Sequence, residues 1–390
     1  MKESLNKIYE YIDNNKEEAI SFWERIVNTE SYTKEPNDVS NLANFLNDEF
    51  QNCGMDCEII PAKPNGPTLI GNLGLDRKNK AILFSGHMDT VFKTGSVSER
   101  PFKIENGKAY GPGVLDMKGG IVISLLTIKA LNSIGYDKRP IKIIFSGDEE
   151  CGHYQSSGGK ILSDNAKDSL CAFNMETGLV DNSLCIGRKG RLECILHING
   201  IEAHAGNDFE NGRSAIEEAA FKITKIRDLT NSENGTTCVA TIIDSPKISN
   251  CFPKNCNITL DIRFEKIAEV DRVKKGLEKI ANTSFIGNTS CEVEYTNSMM
   301  PYETTESVLK LYDFVDRVAQ ENNFKKLGKK TLGGSSDASY LTIANIPTLC
   351  SCGVKGQWNH TVDEYAIVDS IFERAKLWAT VILNIDEKNL

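Results

Sequence analysis

Two apolar stretches, each followed by ionisable side chains, decide the fold of this chain. They read Ala81-Ile-Leu-Phe-Ser-Gly-His-Met-Asp89 and Ile141-Lys-Ile-Ile-Phe-Ser-Gly-Asp-Glu-Glu150. Short apolar runs of this kind predict strands that are buried on both faces of a parallel sheet. Ligands of open α/β sheets bind at the carboxyl ends of strands, so we expect His87 and the acidic triplet at 148–150 to lie in one site. These residue types indicate a hydrolytic metal site rather than a nucleotide site.

The order of predicted elements indicates one domain inserted into another. With 390 residues the chain is long for a single core, so two domains are expected. Alternating strands and helices over 1–186 predict an α/β fold with a mostly parallel, mixed sheet flanked by helices. Residues 187–298 show instead the order β-α-β-β-α-β of a ferredoxin-like α+β domain. The first pattern returns over 299–390, so we expect 1–186 and 299–390 to form one domain.

Hydrophobic periodicity gives bounds for several elements. Apolar residues at helical spacing predict one helix over Leu5–Val27. An apolar run predicts a strand over Ile346–Ser351. Within the insertion, helices are expected over Arg213–Leu229 and Ile267–Ala281.

Composition excludes some partners. Lys and Arg number 45 against 54 Asp and Glu, and the formal charge of −9 argues against binding to nucleic acid. No stretch approaches the roughly 18 apolar residues of a membrane span. The charged N-terminal segment does not resemble a signal peptide, so a cytoplasmic protein is expected. The twelve cysteines form no C-x-x-C pair, which indicates reduced, mostly buried thiols.

The first candidate site residues along the chain are a histidine and two aspartates. Residues i and i+2 of a strand point the same way, so Asp89 can hold the second ring nitrogen of a metal-bound His87. A solvated pair on a loop would show the same spacing. Asp116 follows the glycine-rich segment Tyr110-Gly-Pro-Gly-Val-Leu and precedes a predicted helix. It is therefore either a helix N-cap or a carboxylate that bridges two metal ions.

Further candidates stand at predicted strand ends and in a polar loop. Glu149 and Glu150 are adjacent and point in different directions, so one could bind metal while the other moves a proton. Glu176 ends a third apolar stretch, and His360 precedes the last predicted helix. An acidic surface turn and an exposed loop histidine are the respective alternatives. Two other histidines are interpreted as ordinary residues: His153 as part of a polar loop and His197 as part of a strand.

The ordered set of motifs resembles the co-catalytic zinc metallopeptidase superfamily. The matching segments span nearly the whole chain: Gly86-His-Met-Asp-Thr-Val91, Gly111-Pro-Gly-Val-Leu-Asp-Met-Lys-Gly-Gly120, Asp148-Glu-Glu150, Glu176, His204-Ala-Gly206 and His360. That superfamily includes glutamate carboxypeptidase, peptidase T, aminoacylase, acetylornithine deacetylase and succinyl-diaminopimelate desuccinylase. The resemblance implies a zinc-dependent exopeptidase-like catalytic domain with an inserted lid and dimerisation domain.

The resemblance implies a role for each matching residue. Two zinc ions would be bound with Asp116 as the bridging ligand. The other implied ligands are His87 and Glu176 for one ion, and Glu150 and His360 for the second. Asp89 would support His87, and Glu149 would act as the general base. The superfamily often has a cis peptide bond after the bridging aspartate, and cobalt or manganese could replace zinc at such ligands.

Substrate-side roles are also implied. His204 would reach the site of a neighbouring subunit and stabilise the oxyanion, which implies a homodimer formed through the inserted domain. Arg263 would bind a free α-carboxylate, with a salt bridge at a strand edge as the alternative. Asn250 matches another substrate-side position. The glycine-rich loop at 333–338 contributes two further candidates: Gly334 and Ser335.

The function expected from this resemblance is hydrolysis of an amide bond. The segment His-Met-Asp-Thr-Val-Phe92 is closer to the glutamate carboxypeptidase branch, so the substrate is expected to be a small peptide or an N-acyl amino acid that loses its C-terminal residue. The alternative is an N-acyl amino-acid deacylase of the acetylornithine deacetylase or succinyl-diaminopimelate desuccinylase type. A non-catalytic binding protein and a structural oligomer are the hypotheses from other classes. Neither would need the complete ligand set and Glu149.

Overall fold

The computed structural model describes residues 2–246 and 248–385. Its helices are α1 (Lys2–Asn14), α2 (Lys16–Val27), α3 (Pro36–Gln51), α4 (Ser96–Glu99), α5 (Gly119–Ser133), α6 (Gly158–Ala166), α7 (Ala215–Arg227), α8 (Ile267–Ala281), α9 (Glu306–Glu321), α10 (Ala338–Ile343) and α11 (Val368–Asn384). Its strands are β1 (Asp56–Ile60), β2 (Gly66–Leu73), β3 (Ala81–His87), β4 (Lys103–Glu105), β5 (Lys108–Tyr110), β6 (Ile141–Gly147), β7 (Ser169–Asn174), β8 (Ser183–Arg188), β9 (Gly190–Asn199), β10 (Thr237–Asp244), β11 (Asn255–Phe264), β12 (Ser290–Met299), β13 (Gly328–Leu332), β14 (Thr348–Leu349), β15 (Gly356–Gln357) and β16 (Tyr365–Ile367).

The chain divides into two compact units. The first unit contains the chain up to Gly187, Thr304–Thr331 and the chain from Ser336 onward. The second unit contains Arg188–Glu303 and Leu332–Ser335. Three residues of the glycine-rich loop, together with Leu332 at the end of β13, therefore group with the second unit, although most of the chain around them belongs to the first.

Parallel pairing of apolar strands builds the main sheet of the first unit. Six strands lie in the order β1-β2-β6-β3-β7-β14. The last four run parallel, whereas β2 pairs antiparallel with both β1 and β6. The register places Gly86 beside Phe145 and His87 beside Ser146, so β3 and β6 end at the same edge. The predicted mixed, mostly parallel sheet is confirmed.

Helices cover both faces of this sheet, as the side chains of β3 show. Leu83 lies in an apolar cluster with residues of α6 and α10. The next residue, Phe84, points to the other face and lies 6.1 Å from the ring of Phe173, which stacks on Trp378 of α11 at 4.7 Å. On an alternating strand, neighbouring residues reach opposite layers. The sheet is therefore buried on both sides, which explains the continuous apolar runs.

The second unit is a four-stranded antiparallel sheet with helices α7 and α8. Its strands lie in the order β10-β11-β9-β12, and their chain order with the helices is β-α-β-β-α-β. Every second residue of β9 and β11 is buried, and these residues form one core with both helices. The hydroxyl of Ser214 accepts the N–H of Glu217 and caps α7. The topology is the ferredoxin-like one that the element order predicts.

The single helix predicted over Leu5–Val27 is wrong, because the structure divides it into α1 and α2. The break lies at Asn15, whose backbone angles are φ −108° and ψ 20°. The side-chain amide of Asn15 donates to the carbonyl of Tyr11 at 2.7 Å. Such a side-chain bond competes with the helical pattern, which hydrophobic spacing alone does not reveal.

The strand predicted over Ile346–Ser351 is shortened to β14. Beyond β14 the chain changes partner, because Cys350 pairs with Cys185 by two backbone hydrogen bonds of 2.9 and 3.0 Å. Ser351 then adopts a positive φ of 58°, which ends the extended conformation. The apolar run marked burial correctly but not the length of the strand.

Two expectations from composition concern cysteines and membranes. Seven of the twelve cysteines are buried: Cys171, Cys185, Cys194, Cys238, Cys256, Cys350 and Cys352. The expectation of mostly buried thiols is confirmed. Among the helices of the described residues, none is both long enough and apolar enough to cross a bilayer.

Candidate metal centre

Three strand ends bring ionisable side chains to one edge of the main sheet. His87 is the last residue of β3, while Glu149 and Glu150 follow β6 and Glu176 follows β7. These strands are parallel neighbours, so their carboxyl ends lie side by side. Ligand atoms of His87, Glu149 and Glu176 lie within 4.8 Å of one another. The structure therefore brings together the strand-end residues that the sequence analysis places in one site.

A glycine-rich turn carries Asp116 to the same edge. Gly113 has a positive φ of 71°, and a Cβ there would lie 2.5 Å from a neighbouring side chain, so only glycine fits without a shift. The peptide bond after Asp116 is cis. Asp116 Oδ1 lies 3.2 Å from Nε2 of His87, and Oδ2 lies 3.2 Å from Nε2 of His360. The two oxygens of one carboxylate thus face two different imidazoles.

Two groups of side chains form around this shared carboxylate. Nε2 of His87 lies 3.4 Å from Oε1 of Glu176. Nε2 of His360 lies 3.2 Å from Oε2 of Glu150. Each group therefore contains one imidazole, one glutamate and one oxygen of Asp116. Ligand atoms of His87, Asp116 and Glu150 also lie within 4.8 Å of one another, so the groups are adjacent.

Asp89 is buried beneath the cluster and contacts three of its members. Nδ1 of His87 lies 3.0 Å from the backbone oxygen of Asp89 and 3.4 Å from its carboxylate Oδ1. The same carboxylate accepts the backbone N–H of Glu149 at 3.2 Å and that of Glu150 at 3.0 Å. The Asp89 side chain therefore orients the His87 ring and also holds the backbone of Glu149 and Glu150 after β6.

Burial strongly perturbs the carboxylates. It raises the pKa of Glu149 well above the usual range. Burial also raises the pKa of Glu150 to about 7, with repulsion from Asp116 as the next cause. Burial opposes ionisation of Asp116 as well, but hydrogen bonds to His360 and His87 outweigh it and lower the pKa of Asp116. Close carboxylates of this kind favour protons or cations between them.

The two histidines respond to the same carboxylates. Burial lowers the pKa of His87, but hydrogen bonds to three carboxylates outweigh burial and raise it well above the usual range. Hydrogen bonds to Asp116 and Glu150 raise the pKa of His360 to about 11. Both imidazoles therefore act as cations that balance the acidic cluster when only protons are present.

The donor set fits divalent cations. Carboxylate oxygens and imidazole nitrogens are preferred ligands of zinc and are also accepted by manganese and cobalt. Cations at this position would replace protons between the carboxylates and leave the imidazoles neutral, which is the state in which they coordinate metal. The residues that could hold them are His87, Asp116, Glu150, Glu176 and His360.

Two side chains that contact the Asp116 turn were not among the predicted site residues. Nδ2 of Asn359 donates to Oδ2 of Asp116 at 3.0 Å. Oε1 of Glu364 accepts the backbone N–H of Leu115 at 2.8 Å and that of Asp116 at 3.2 Å. Asn359 precedes His360 in sequence, and this proximity was an available signal. Glu364 had none, because a glutamate in a polar loop is normally exposed.

One histidine interpreted as an ordinary polar-loop residue is buried. Nδ1 of His153 lies 2.6 Å from Oδ1 of Asp148, and His153 is only 6% exposed. Asp148 also accepts hydrogen bonds from Asn65 and Ser156. This pairing compensates for the burial of both groups, which local sequence does not show. His197 lies on β9 with its ring partly exposed, as expected for an ordinary strand residue.

Two of the remaining candidates lie in adjacent loops of the second unit. Nδ1 of the exposed His204 accepts the backbone N–H groups of Gly206 and Asn207, both at 3.1 Å. A neutral ring with Nδ1 as acceptor carries its proton on Nε2 and can donate it in a hydrogen bond. The carbonyl of Asn250 accepts the N–H of Ala205 at 2.9 Å, which ties the two loops together.

The other substrate-side candidates also belong to the second unit. Nε and Nη2 of Arg263 donate to the carboxylate of Asp261, two residues earlier on β11, at 2.7 and 3.1 Å. The salt bridge considered as the alternative is therefore present, and it occupies one edge of the guanidinium. The hydroxyl of Ser335 donates to the carbonyl of Lys189 at 3.0 Å, and Gly334 is exposed. A role of these residues in substrate binding stays a prediction.

The arrangement of these side chains on the sheet indicates the kind of enzyme. Two histidines and four carboxylates gathered at the carboxyl edge of an α/β sheet are typical of a metal-dependent hydrolase. Residues 83–384 match Peptidase family M20/M25/M40, and the chain belongs to that family. The protein is a metal-dependent hydrolase of amide bonds, and the predicted family and enzyme class are confirmed.

Similar proteins cover nearly the whole chain. Carboxypeptidase G2 of Pseudomonas sp. (strain RS-16) is 27% identical over 97% of this chain and 92% of its own length. Succinyl-diaminopimelate desuccinylase of Ehrlichia ruminantium (strain Gardel) is 24% identical over 87% of this chain and 91% of its own. The crystal structure of aminopeptidase PepT from Bacillus cereus ATCC 10987 has a TM-score of 0.76 and 22% identity, and covers 94% of this chain and 98% of its own. This structural likeness supports the fold.

Proposed function

We propose that the protein is a two-zinc exopeptidase that removes a C-terminal amino acid, in the manner of glutamate carboxypeptidase. The observation that carries this proposal is the division of the two Asp116 oxygens between His87 and His360, each 3.2 Å away. Similarity to Carboxypeptidase G2 over 97% of the chain supports the carboxypeptidase branch. An N-acyl amino-acid deacylase is the second candidate, and similarity to succinyl-diaminopimelate desuccinylase supports it.

Each cation is assigned to one of the two groups around Asp116. The assigned ligands are His87 and Glu176 for one ion, Glu150 and His360 for the other, and Asp116 for both. Asp89 would orient His87 through the 3.0 Å contact to Nδ1. When bound, the cations would polarise the scissile carbonyl and acidify the attacking water. Zinc is the proposed metal, and cobalt or manganese could substitute.

Glu149 is the proposed general base. It lies among the ligand groups, is 9% exposed, and is not needed to complete either group. Burial raises the pKa of Glu149, so its carboxylate can take a proton from the attacking water and later return it to the leaving amine. Its backbone N–H is held by Asp89 at 3.2 Å, which limits the positions that the side chain can adopt.

Substrate recognition is assigned to the second unit. We propose that Nε2 of His204 donates to the developing oxyanion in the site of a neighbouring subunit, since Nδ1 is already an acceptor. The remaining edge of the Arg263 guanidinium would bind the α-carboxylate of the substrate. The other proposed contacts to substrate are Asn250, Gly334 and Ser335. Residues 187–298 would thus form the lid, with 1–186 and 299–390 as the catalytic domain.

A homodimer through the inserted domain is part of the proposal. In the part of the chain that the structure describes, β10 is an edge strand that pairs with β11 alone. Val239, Ile242 and Ile243 on this strand are 52–60% exposed, and Phe221 on α7 is 50% exposed. An open apolar edge of this kind is a ready surface for pairing with a second copy. The twelve cysteines, of which seven are buried, support a reducing, cytoplasmic location.

A substrate screen tests the proposed function. The protein would be stripped with a chelator, reloaded with zinc, manganese or cobalt, and assayed on N-terminally blocked dipeptides that end in glutamate. N-acetyl and N-succinyl amino acids would be assayed in parallel. We expect faster release of glutamate from the dipeptides. Faster release of acetate or succinate would favour the deacylase.

The Glu149→Gln variant serves as the control for this screen. It keeps the size of the side chain but removes the proposed base, so it should retain metal while losing turnover. Equal activity of this variant and the wild type would indicate a contaminating hydrolase or a wrong base. A preparation that contains two cations and hydrolyses neither substrate class would refute the proposed function.

A further inference from the structure

The loop between β15 and β16 contacts the Asp116 turn at three points. Nε2 of His360 and Nδ2 of Asn359 both lie close to Oδ2 of Asp116, at 3.2 and 3.0 Å. The last residue of the loop, Glu364, contacts the backbone of the turn instead. Its Oε1 accepts the N–H of Leu115 at 2.8 Å and that of Asp116 at 3.2 Å. One loop therefore contacts both the carboxylate and the backbone of the same aspartate.

Glu364 is unusual because it is completely buried. It is 0% exposed, although the four residues before it in the loop are exposed. Its second oxygen, Oε2, has no hydrogen-bond partner among the described residues. Burial of a carboxylate costs free energy, and glutamate is rarely found in such a place without a specific contact. At this position Glu364 accepts hydrogen bonds from two N–H groups of the turn. The buried carboxylate therefore holds these two N–H groups in place.

The other side of the turn is also held. Lys118 is 1% exposed, and its Nζ donates to the backbone carbonyl of Thr29 at 2.7 Å. The N–H of Lys118 closes the turn on the carbonyl of Gly113 at 3.0 Å. Glu364 and Lys118 therefore bind the turn before and after Asp116, whose own side chain is directed at two histidines.

We propose that Glu364 is a positioning residue that sets the direction of the Asp116 carboxylate and thereby the affinity of the two-cation centre. The N–H that Glu364 binds and the bridging carboxylate belong to the same residue, so a shift of this backbone moves both oxygens. Because His360 lies in the same loop, Glu364 also fixes the separation of the bridging carboxylate from one imidazole. The inference rests on the proposed two-cation centre and adds a residue that neither binds metal nor touches substrate.

Metal titration of three variants tests this role without any substrate. Zinc binding would be measured by competition with a chromophoric chelator for the wild type and for Glu364→Ala, Glu364→Gln and Asp363→Ala. Glu364→Ala removes the acceptor and should weaken zinc binding roughly 10–100-fold, the usual effect of losing a group that orients a ligand. Glu364→Gln keeps an oxygen acceptor and should restore affinity to within about threefold. Asp363 is the exposed neighbour in the same loop and should bind zinc like the wild type after substitution.

Thermal unfolding of the same variants in excess chelator distinguishes a residue that positions the Asp116 carboxylate from one that only stabilises the fold. A residue that only supports the fold would lower the melting temperature of the metal-free protein and leave zinc affinity unchanged, and that result would overturn the proposal. Equal losses for Glu364→Ala and Glu364→Gln would also overturn it, because the acceptor would then not be the cause. If the wild type binds two zinc ions but hydrolyses no amide substrate, the proposed function fails while the role of Glu364 stands. If the wild type does not bind two ions, both fail.

Discussion

A buried ion pair in the second unit allows a sharp prediction of stability. Lys222 and Glu218 on α7 are 1% and 0% exposed, and Nζ lies 3.0 Å from Oε1. Nζ also donates to the carbonyls of Ile280 and Thr283, both at 2.7 Å. The pair therefore fastens α7 to the end of α8 and the segment that follows it.

Replacing Lys222 by methionine should destabilise this unit strongly. Methionine keeps most of the apolar stem but removes the ammonium group, so the buried Glu218 loses its cationic partner and the carbonyls of Ile280 and Thr283 lose a donor. Breaking a buried pair in this way costs about 3–5 kcal/mol. For a unit of this size the loss corresponds to a fall in melting temperature of roughly 10–20 °C. The double variant Glu218→Gln/Lys222→Met should recover part of the loss, because no uncompensated charge remains.

The matched control lies one turn away on the same helix. Lys225 pairs with Asp228 at 3.7 Å, and both side chains are more than half exposed. Lys225→Met should change stability by no more than about 1 kcal/mol, as expected of a surface pair. Urea unfolding followed by circular dichroism would measure both variants. If Lys222→Met is no less stable than Lys225→Met, the reasoning from burial is refuted.

Three further predictions concern catalysis and metal. Glu149→Ala should lower kcat by roughly 10²–10⁴-fold with metal content unchanged, as measured by elemental analysis, and near-normal kcat would contradict its role as base. His204→Ala should lower kcat by roughly 10²–10³-fold in steady-state assays, and an unaltered rate would reject the oxyanion role. Removal of the cations by a chelator should abolish turnover and lower the melting temperature, since ligands that bind only the folded state stabilise it. Zinc should restore both, and a chelated protein with full activity would contradict the metal assignment.

Local sequence predicted the strand ends of the site well. The runs ending at His87 and at 148–150 are apolar because both faces of their strands are covered, and that burial has a direct sequence pattern. Glu176 follows the next parallel strand for the same reason. The order of strands and helices in the second unit could also be predicted from the sequence, because the hydrophobic periodicities of helices and strands differ.

The partners of individual side chains could not be predicted from local sequence, whether they are distant or near along the chain. Glu364 binds the N–H of Leu115, 249 residues away in sequence, and no periodicity or composition signals such a contact. His153 was assigned to a polar loop, yet Asp148 draws it into the interior. The guanidinium of Arg263 is paired with Asp261, a salt bridge that was predicted only as an alternative, and its role in binding the substrate stays a prediction.

The alternation of buried strands and helices and the residue types at the strand ends follow from local sequence, because hydrophobic burial leaves a periodic pattern along the chain. Three-dimensional packing places the two oxygens of Asp116 opposite different histidines and a buried glutamate against the backbone of the turn. Those relations depend on distances between segments far apart in the chain. Such distances are set by packing and hydrogen-bond geometry, which no local pattern encodes.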